Sequence, residues 1–242
     1  MNQSFYAAAI GAHQQMQHLN VHSNNIANVN TYGFKPQRAS FSALMYSMVE
    51  GVDNEELPKG GGTRMTSTPT GFDTGFYIAT NRTQDYAIEG SGFFALYDPS
   101  TQEVSYTRNG AFQLSMYQVP NEKGELDAVY YLSDGDGRQV LDKMGYPIVV
   151  DDPLVAQPVG VFEFMYQDGL QHVSNSMFTS VEKNGNVWVS DSKVHSGFLE
   201  GSGSDFGTEM SKLIEAQRSY SYALKMVQTS DEIETTIINL KN

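Results

Sequence analysis

The first 34 residues of this chain contain no Asp, Glu, Lys or Arg. At 18% charged content, a run of that length arises by chance about once in a thousand. Within it, Phe5, Ala9, Ala12, Met16, Leu19, Ser23 and Ile26 follow alternating steps of four and three, the spacing of a helical packing seam. Gln14, Gln15, Gln17, Asn20 and Asn24 fall on the other faces. A solvated helix normally carries charge on its outer face. One that carries amides instead suits cover from several sides, where an unpaired charge would be costly to desolvate.

The last segment, residues 205–242, is the natural partner. Phe206, Met210, Leu213, Gln217, Tyr220, Leu224 and Val227 repeat the four-three spacing. The stripe then drifts to Ile233, Ile237 and Leu240, as a straight helix does against a strict heptad. Asp205 is placed to cap the helix start, and Glu209 lies in the first turn near the positive end of the dipole.

Between these helices the chain is written as strands. DYAIEG, GFFALYD, EVSYTR, AFQLSM, AVYYLS, IVVD, VFEFMYQ and NVWVSD are short runs rich in aromatic and β-branched residues. Asn109-Gly110, Asp136-Gly137, Asp168-Gly169 and Asn184-Gly185 read as hairpin turns. The expected fold is α+β. Long terminal helices (1–34 and 205–242) pair as a coiled-coil core domain, an extended or loop joint follows (35–80, with a Gly-rich stretch at 59–71), and a central all-β sandwich or barrel occupies 81–204.

Composition narrows the function. The net charge is −13, and nearly all the excess lies at 81–204, where seventeen acids face seven bases. Such a surface repels phosphate backbones, so nucleic acid is not an expected partner. No window approaches the roughly 18 apolar residues of a membrane span, so no membrane insertion is expected. The absence of cysteine excludes thiolate metal sites. The N-terminus lacks the basic leader and apolar core of a cleaved secretory signal.

Candidate chemistry is sparse. His18 and His22 stand one helical turn apart, but no carboxylate in that segment completes a metal site, and they read as uncharged polar surface. SDGDGRQVLD (133–142) lacks the oxygen ligands of a calcium loop and reads as a hairpin turn. Asp151 and Asp152 are adjacent in an extended stretch, so they point to opposite faces and cannot work as a pair. There is no nucleophile elbow or phosphate-binding loop. No catalytic residues, metal or cofactor are expected, and the chain is not expected to be an enzyme.

One stretch needs more than propensity. In NNIANVNTYGFK (24–35), four of the first seven residues are Asn, a poor residue for a helix interior. Asn24 and Asn25 are expected as interface amides, and Asn28, Asn30 and Gly33 as left-handed positions that reverse the chain. Asn24, Asn25, Ala27, Asn28, Thr31, Gly33, Phe34 and Lys35, followed by DYAIEGSGFFAL with YTRNGAF, and by GFLEGSGSDFGTEMSKLIEAQRSYSYALKMVQTSDEI, resemble in order the motifs of the axial proteins of the bacterial flagellum, specifically the rod proteins of the hook-basal body group.

That resemblance implies a structural subunit of the flagellar rod that polymerises into a helical tube, transmits torque and encloses the export channel. Its partners would be further copies of itself, other rod and hook proteins, and the flagellar type III export apparatus. It would lie in the basal body, exported without a cleaved signal. The implied assembly interface comprises Phe5, Met16, Leu19, Asn24, Asn25, Ile26, Asn28, Gly33 and Phe34, with Met210, Leu213, Ile214, Gln217, Arg218, Tyr220, Leu224, Val227, Ile233 and Ile237 from the last helix. A hook or hook-associated protein is the nearer alternative, and a secreted β-rich binding module the more remote one.

Overall fold

A computed structural model describes residues 3–43, 47–50, 56–59, 63–120, 126–174 and 176–241. The chain forms two compact units. One comprises Met1–Ala27, Gln37–Thr70 and Asp205–Asn242; the other comprises Asn28–Pro36 and Gly71–Ser204. The fold is α+β.

In the first unit, α1 (Gln3–Ala27) packs against α2 (Phe206–Lys241). The covered positions of α2 include Glu209, Leu213, Ala216, Tyr220, Ala223, Val227, Ser230 and Glu234, again in steps of four and three, with Met210 and Ser219 half-buried beside them. Leu213, Tyr220 and Val227 belong to the expected seam. Phe206, Gln217 and Leu224 of that seam are exposed: the covered face instead includes Ala216, Ala223 and Ser230, small residues that let two helix axes approach closely. In α1 the buried positions are Ala12, Val21, His22 and Asn25, while Met16 and Ser23 of the expected seam are exposed.

The segment 37–70 adds two antiparallel ladders to this unit. Strand β1 (Ser40–Ala43) pairs β4 (Thr63–Ser67), and β2 (Ser47–Glu50) pairs β3 (Glu56–Lys59). Strand β4 lies against α1, where the Met65 N–H donates to Gln14 Oε1 at 2.7 Å. Gly60, Gly61 and Gly62 of the Gly-rich stretch lie outside the described residues.

The second unit contains β5 (Tyr77–Ala79), β6 (Tyr86–Glu89), β7 (Phe93–Tyr97), β8 (Val104–Thr107), β9 (Gln113–Pro120), β10 (Leu126–Ser133), β11 (Gln139–Val140), β12 (Val161–Phe164), β13 (Gln171–Ser174), β14 (Met177–Thr179), β15 (Val187–Val189), β16 (Lys193–Ser196) and β17 (Phe198–Glu200). Nine of them form one antiparallel sheet in the order β13-β14-β8-β7-β11-β10-β9, with β12 joining β7 to β15. Strand β5 pairs β17, and β6 pairs β16. Among the described residues the sheet does not close into a barrel, because β13, β9 and β15 each have a ladder on one side only.

Strand β7 explains why the sheet is central. Its side chains alternate, so Phe94 and Leu96 enter one apolar cluster with Tyr86, Phe112 and Leu132, while Phe93 and Ala95 enter another with Tyr106, Phe164 and Phe178. A strand buried on both faces reads as a continuous apolar run, which is what GFFALYD is. Seven of the eight expected strands form. The eighth, IVVD, makes only isolated bridges: Val149 pairs Tyr131, and the neighbouring Pro147 pairs Leu141.

The turn signals divide. Gly137 and Gly185 take positive φ (85° and 70°). Asn109-Gly110 is not a hairpin turn: a Cβ on Gly110 would sit 1.8 Å from the Tyr86 carbonyl oxygen, so glycine is required there for close approach.

Candidate functional site

The asparagine motif straddles the two units, and each half closes a polar junction within its own unit. In the helical unit, Asn25 is fully buried near the end of α1. Its amide pairs with the backbone of Gln37 as a strand would: Nδ2 donates to the Gln37 carbonyl at 2.8 Å, and Oδ1 accepts from the Gln37 N–H at 3.1 Å. Nδ2 also donates to Glu209 Oε2 at 3.1 Å. One carboxamide thus ties the end of α1 to the returning chain and to the first turn of α2. No helix-forming side chain could do this, because it takes a donor and an acceptor on one short stem.

Glu209 is the hub of that junction. His22 Nδ1 stands 2.6 Å from Glu209 Oε2, and both side chains are buried. Burial alone would raise the Glu209 carboxyl, but hydrogen bonds from His22 and Asn25 outweigh it and hold the group below the ordinary carboxylate range. His22 in turn contacts His18, Nε2 to Nε2 at 2.8 Å. His22 is therefore a buried partner of a carboxylate contributed by α2, which corrects its expectation as surface. The α2 cap is as expected: Asp205 Oδ1 accepts from the Thr208 N–H at 2.8 Å.

In the β-rich unit the second half of the motif ends at Lys35, the first charge in the chain. Lys35 Nζ lies 2.7 Å from Glu200 Oε1, Arg108 Nη1 lies 3.1 Å from Glu200 Oε2, and all three side chains are at most 3% exposed. Two further donor contacts go to carbonyls: Lys35 Nζ reaches the Asp73 oxygen and Arg108 Nη2 the Gly90 oxygen, each at 2.7 Å, while Arg108 Nε is buried with no hydrogen-bond partner among the described residues. The Gly75 N–H donates to Glu200 Oε1, and the Gly33 N–H donates to the Glu200 carbonyl. Desolvation pushes the Lys35 ammonium below its ordinary value, against the pull of Glu200. Gly33 has φ +66°, and a Cβ there would lie 2.3 Å from the Arg108 carbonyl carbon. Asn28 and Asn30 do not share that left-handed geometry; in this run only Gly33 adopts it.

Lys35 belongs to NNIANVNTYGFK, Arg108 to YTRNGAF and Glu200 to GFLEGSGS. Three motifs far apart in the chain therefore meet at one buried ion cluster. Arg108 and Glu200 were not singled out as site residues. The available signal was a charged residue inside an otherwise apolar or small-residue motif, which usually means a buried partner.

The expected interface residues fall into three groups. Asn25, Asn28, Gly33 and Phe34 are buried inside the protomer, where they build these junctions. Phe5, Met16, Asn24, Ile214, Gln217, Arg218, Leu224, Ile233 and Ile237 are exposed, and Leu19, Ile26, Met210, Leu213, Tyr220 and Val227 are half-buried. The Asp134 and Asp136 carboxylates of the loop at 133–142 both bind the Arg138 guanidinium, at 3.0 and 2.8 Å.

Motif residues committed to internal ion pairs and backbone contacts, beside long helices with apolar outward faces, define a structural subunit. Comparison with known proteins places it. Three family models match successive parts of the chain: "Flagella basal body rod protein" at 5–35, "Flagellar hook protein FlgE/F/G D1 domain" at 87–189, and "Flagellar basal body rod FlgEFG protein C-terminal" at 195–240. The flagellar basal-body rod protein FlgG of Bacillus subtilis (strain 168) is 29% identical over 271 aligned residues, covering 100% of both chains. FlgG of Agrobacterium fabrum is 29% identical, covering 97% of this chain and 98% of that protein. FlgF of Caulobacter vibrioides is 28% identical, covering 96% of each. The chain belongs to the flagellar basal-body rod protein family and is a structural subunit of the flagellar rod, a family that assembles with other rod and hook proteins in the basal body.

Proposed function

We propose that this subunit polymerises with copies of itself into a helical tube, with α1 and α2 as a coiled-coil core domain around the export channel. One observation carries the reading. The covered face of α2 alternates Leu213, Tyr220 and Val227 with Ala216, Ala223 and Ser230, while Ile214, Leu224, Ile233 and Ile237 are exposed. Large apolar side chains left exposed around a long helix call for cover by another chain. The four-three spacing of the covered α2 positions supports the coiled coil. Such a tube would transmit torque, and its subunits would leave the cell through the flagellar type III apparatus without a cleaved signal.

Within the rod we place the subunit distally. The 37–70 segment forms ladders beside α1, a device suited to wedging between neighbours and stiffening a shaft. Hook proteins of this group generally carry an additional outer β domain, whereas the described residues form one β-rich unit. Deleting the gene should stop assembly inside the envelope, with no hook and no external filament. Imaging of purified basal bodies from the deletion strain checks this: a complete rod lacking only the hook would contradict the assignment.

A further inference from the structure

In the β-rich unit, the β6–β16 ladder carries a small pocket on the face turned away from the apolar core. Tyr86 and Ile88 of β6 and Val194 of β16 pack into that core, so Glu89, Lys193 and His195 take the other face. The register sets Lys193 opposite Glu89 and His195 opposite Ala87, which brings the imidazole diagonally to the carboxylate: His195 Nε2 donates to Glu89 Oε2 at 2.8 Å. Gly197, with φ +81°, turns the chain from β16 into β17, and Phe198 follows beside His195 with ring centroids 6.4 Å apart at 78°. Tyr77 of β5 supplies the second aromatic wall. Its hydroxyl donates to the Ile88 carbonyl at 2.9 Å, which fixes the ring. Tyr77, Glu89, His195 and Phe198 line a cavity of about 290 Å³, at the lower limit of small-molecule sites and suited to one long side chain.

The lining selects its occupant. Tyr77 and Phe198 are 43% and 40% exposed, two rings that an apolar group could cover. Glu89 decides against one. The hydrogen bond from His195 holds its carboxyl below the ordinary range, so it is an anion at neutral pH, and an apolar cover would desolvate that charge. His195 takes Oε2 and leaves Oε1 to accept a further donor. An anionic occupant would be repelled by Glu89 and by the surrounding stretch, with seventeen acids to seven bases over 81–204. A cation satisfies both surfaces, because ring faces attract positive charge and the carboxylate adds an ion pair. Among cations, flat aromatic walls suit a planar guanidinium better than a compact ammonium. We propose that this pocket receives an arginine side chain of a partner chain, stacked on Tyr77 and Phe198 and hydrogen-bonded to Glu89. The site is independent of the helix faces on which the tube rests.

Magnetic-resonance titration of the full-length subunit with N-acetylarginine methylamide tests the chemistry. The Tyr77, Phe198 and His195 rings should shift saturably, and the citrulline derivative, which keeps the shape without the charge, should bind at least about tenfold more weakly. Glu89→Gln alters an exposed position, so the variant should fold normally and lose about tenfold or more in affinity for the arginine derivative. No saturable shift up to about 100 mM, equal affinity for citrulline, or full binding by Glu89→Gln would overturn the site. So would N-acetylglucosamine binding as well as arginine does, since the pocket would then select flat rings and not charge. A benzophenone amino acid placed at Phe198 in cells tests the partner. Its crosslink in purified basal bodies should map beside an arginine of another chain; no crosslink, or one to a segment without arginine, would contradict the proposal.

Discussion

The two units bury different things. The β-rich unit builds an aromatic core, with Phe93, Phe94, Phe112 and Phe178 each at most 1% exposed on the two faces of the sheet, although Trp188, Tyr146 and Phe76 stay exposed. The helical unit hides Ala216, Ala223, Ser230 and a hydrogen-bonded Asn, and leaves Leu224, Ile233 and Ile237 in solvent. A region that spends its bulky residues inside is complete as a monomer; one that keeps them outside is complete only when something covers it. The length difference points the same way. With 36 residues against 25 in α1, α2 extends about 16 Å beyond the span its partner can match.

The contrast can be broken at the β-rich unit first. Glu200→Ala leaves Lys35 and Arg108 buried without their shared anion and should cost about 3–5 kcal/mol, read by denaturant unfolding through Trp188, the sole tryptophan. Phe94→Ala should cost a similar amount, about 3–5 kcal/mol, through the cavity it opens. If either variant unfolded at the wild-type midpoint, the sheet would not be the self-sufficient part. In the helical unit, Asn25→Ala removes the partner of the Gln37 N–H and one of two donors to Glu209 Oε2, and should cost about 1–3 kcal/mol by helical circular dichroism. Ala223→Leu should overpack the covered face by about 1–3 kcal/mol. Ile237→Ala, one turn from the end of α2, should change monomer stability by no more than about 0.5 kcal/mol.

Much of this was readable before any coordinates. The terminal helices, the Asp205 cap, the Gly137 turn and the double-sided burial of β7 follow from spacing, capping chemistry and continuous apolarity. The phase of the helix seam did not. Choosing the bulkiest residues placed Leu224 inward, whereas close helix approach selects Ala223 one position earlier, and no periodicity distinguishes a face covered within the chain from one kept for another chain. The ion cluster was equally hidden, since Lys35 and Glu200 are 165 positions apart and His22 and Glu209 are 187 apart. Without the fold, His22 has no carboxylate within reach and Asn25 has no backbone to pair with. IVVD failed as a strand for a related reason: its composition suits a sheet, but the geometry around it provides only single bridges.

The central claim is that the exposed apolar residues of α2 exist for other copies of the chain, and Leu224→Asp tests it most directly. Leu224 is 39% exposed in the monomer, so the purified variant should keep its helical content and β-unit midpoint. Covered by a neighbour, the same position would hold an unpaired carboxylate, a cost of several kcal/mol repeated in every subunit. Basal bodies purified from cells carrying the variant should lack a complete rod, and the cells should not swim. Full-length rods and normal motility, with the variant subunit present in them, would contradict the claim.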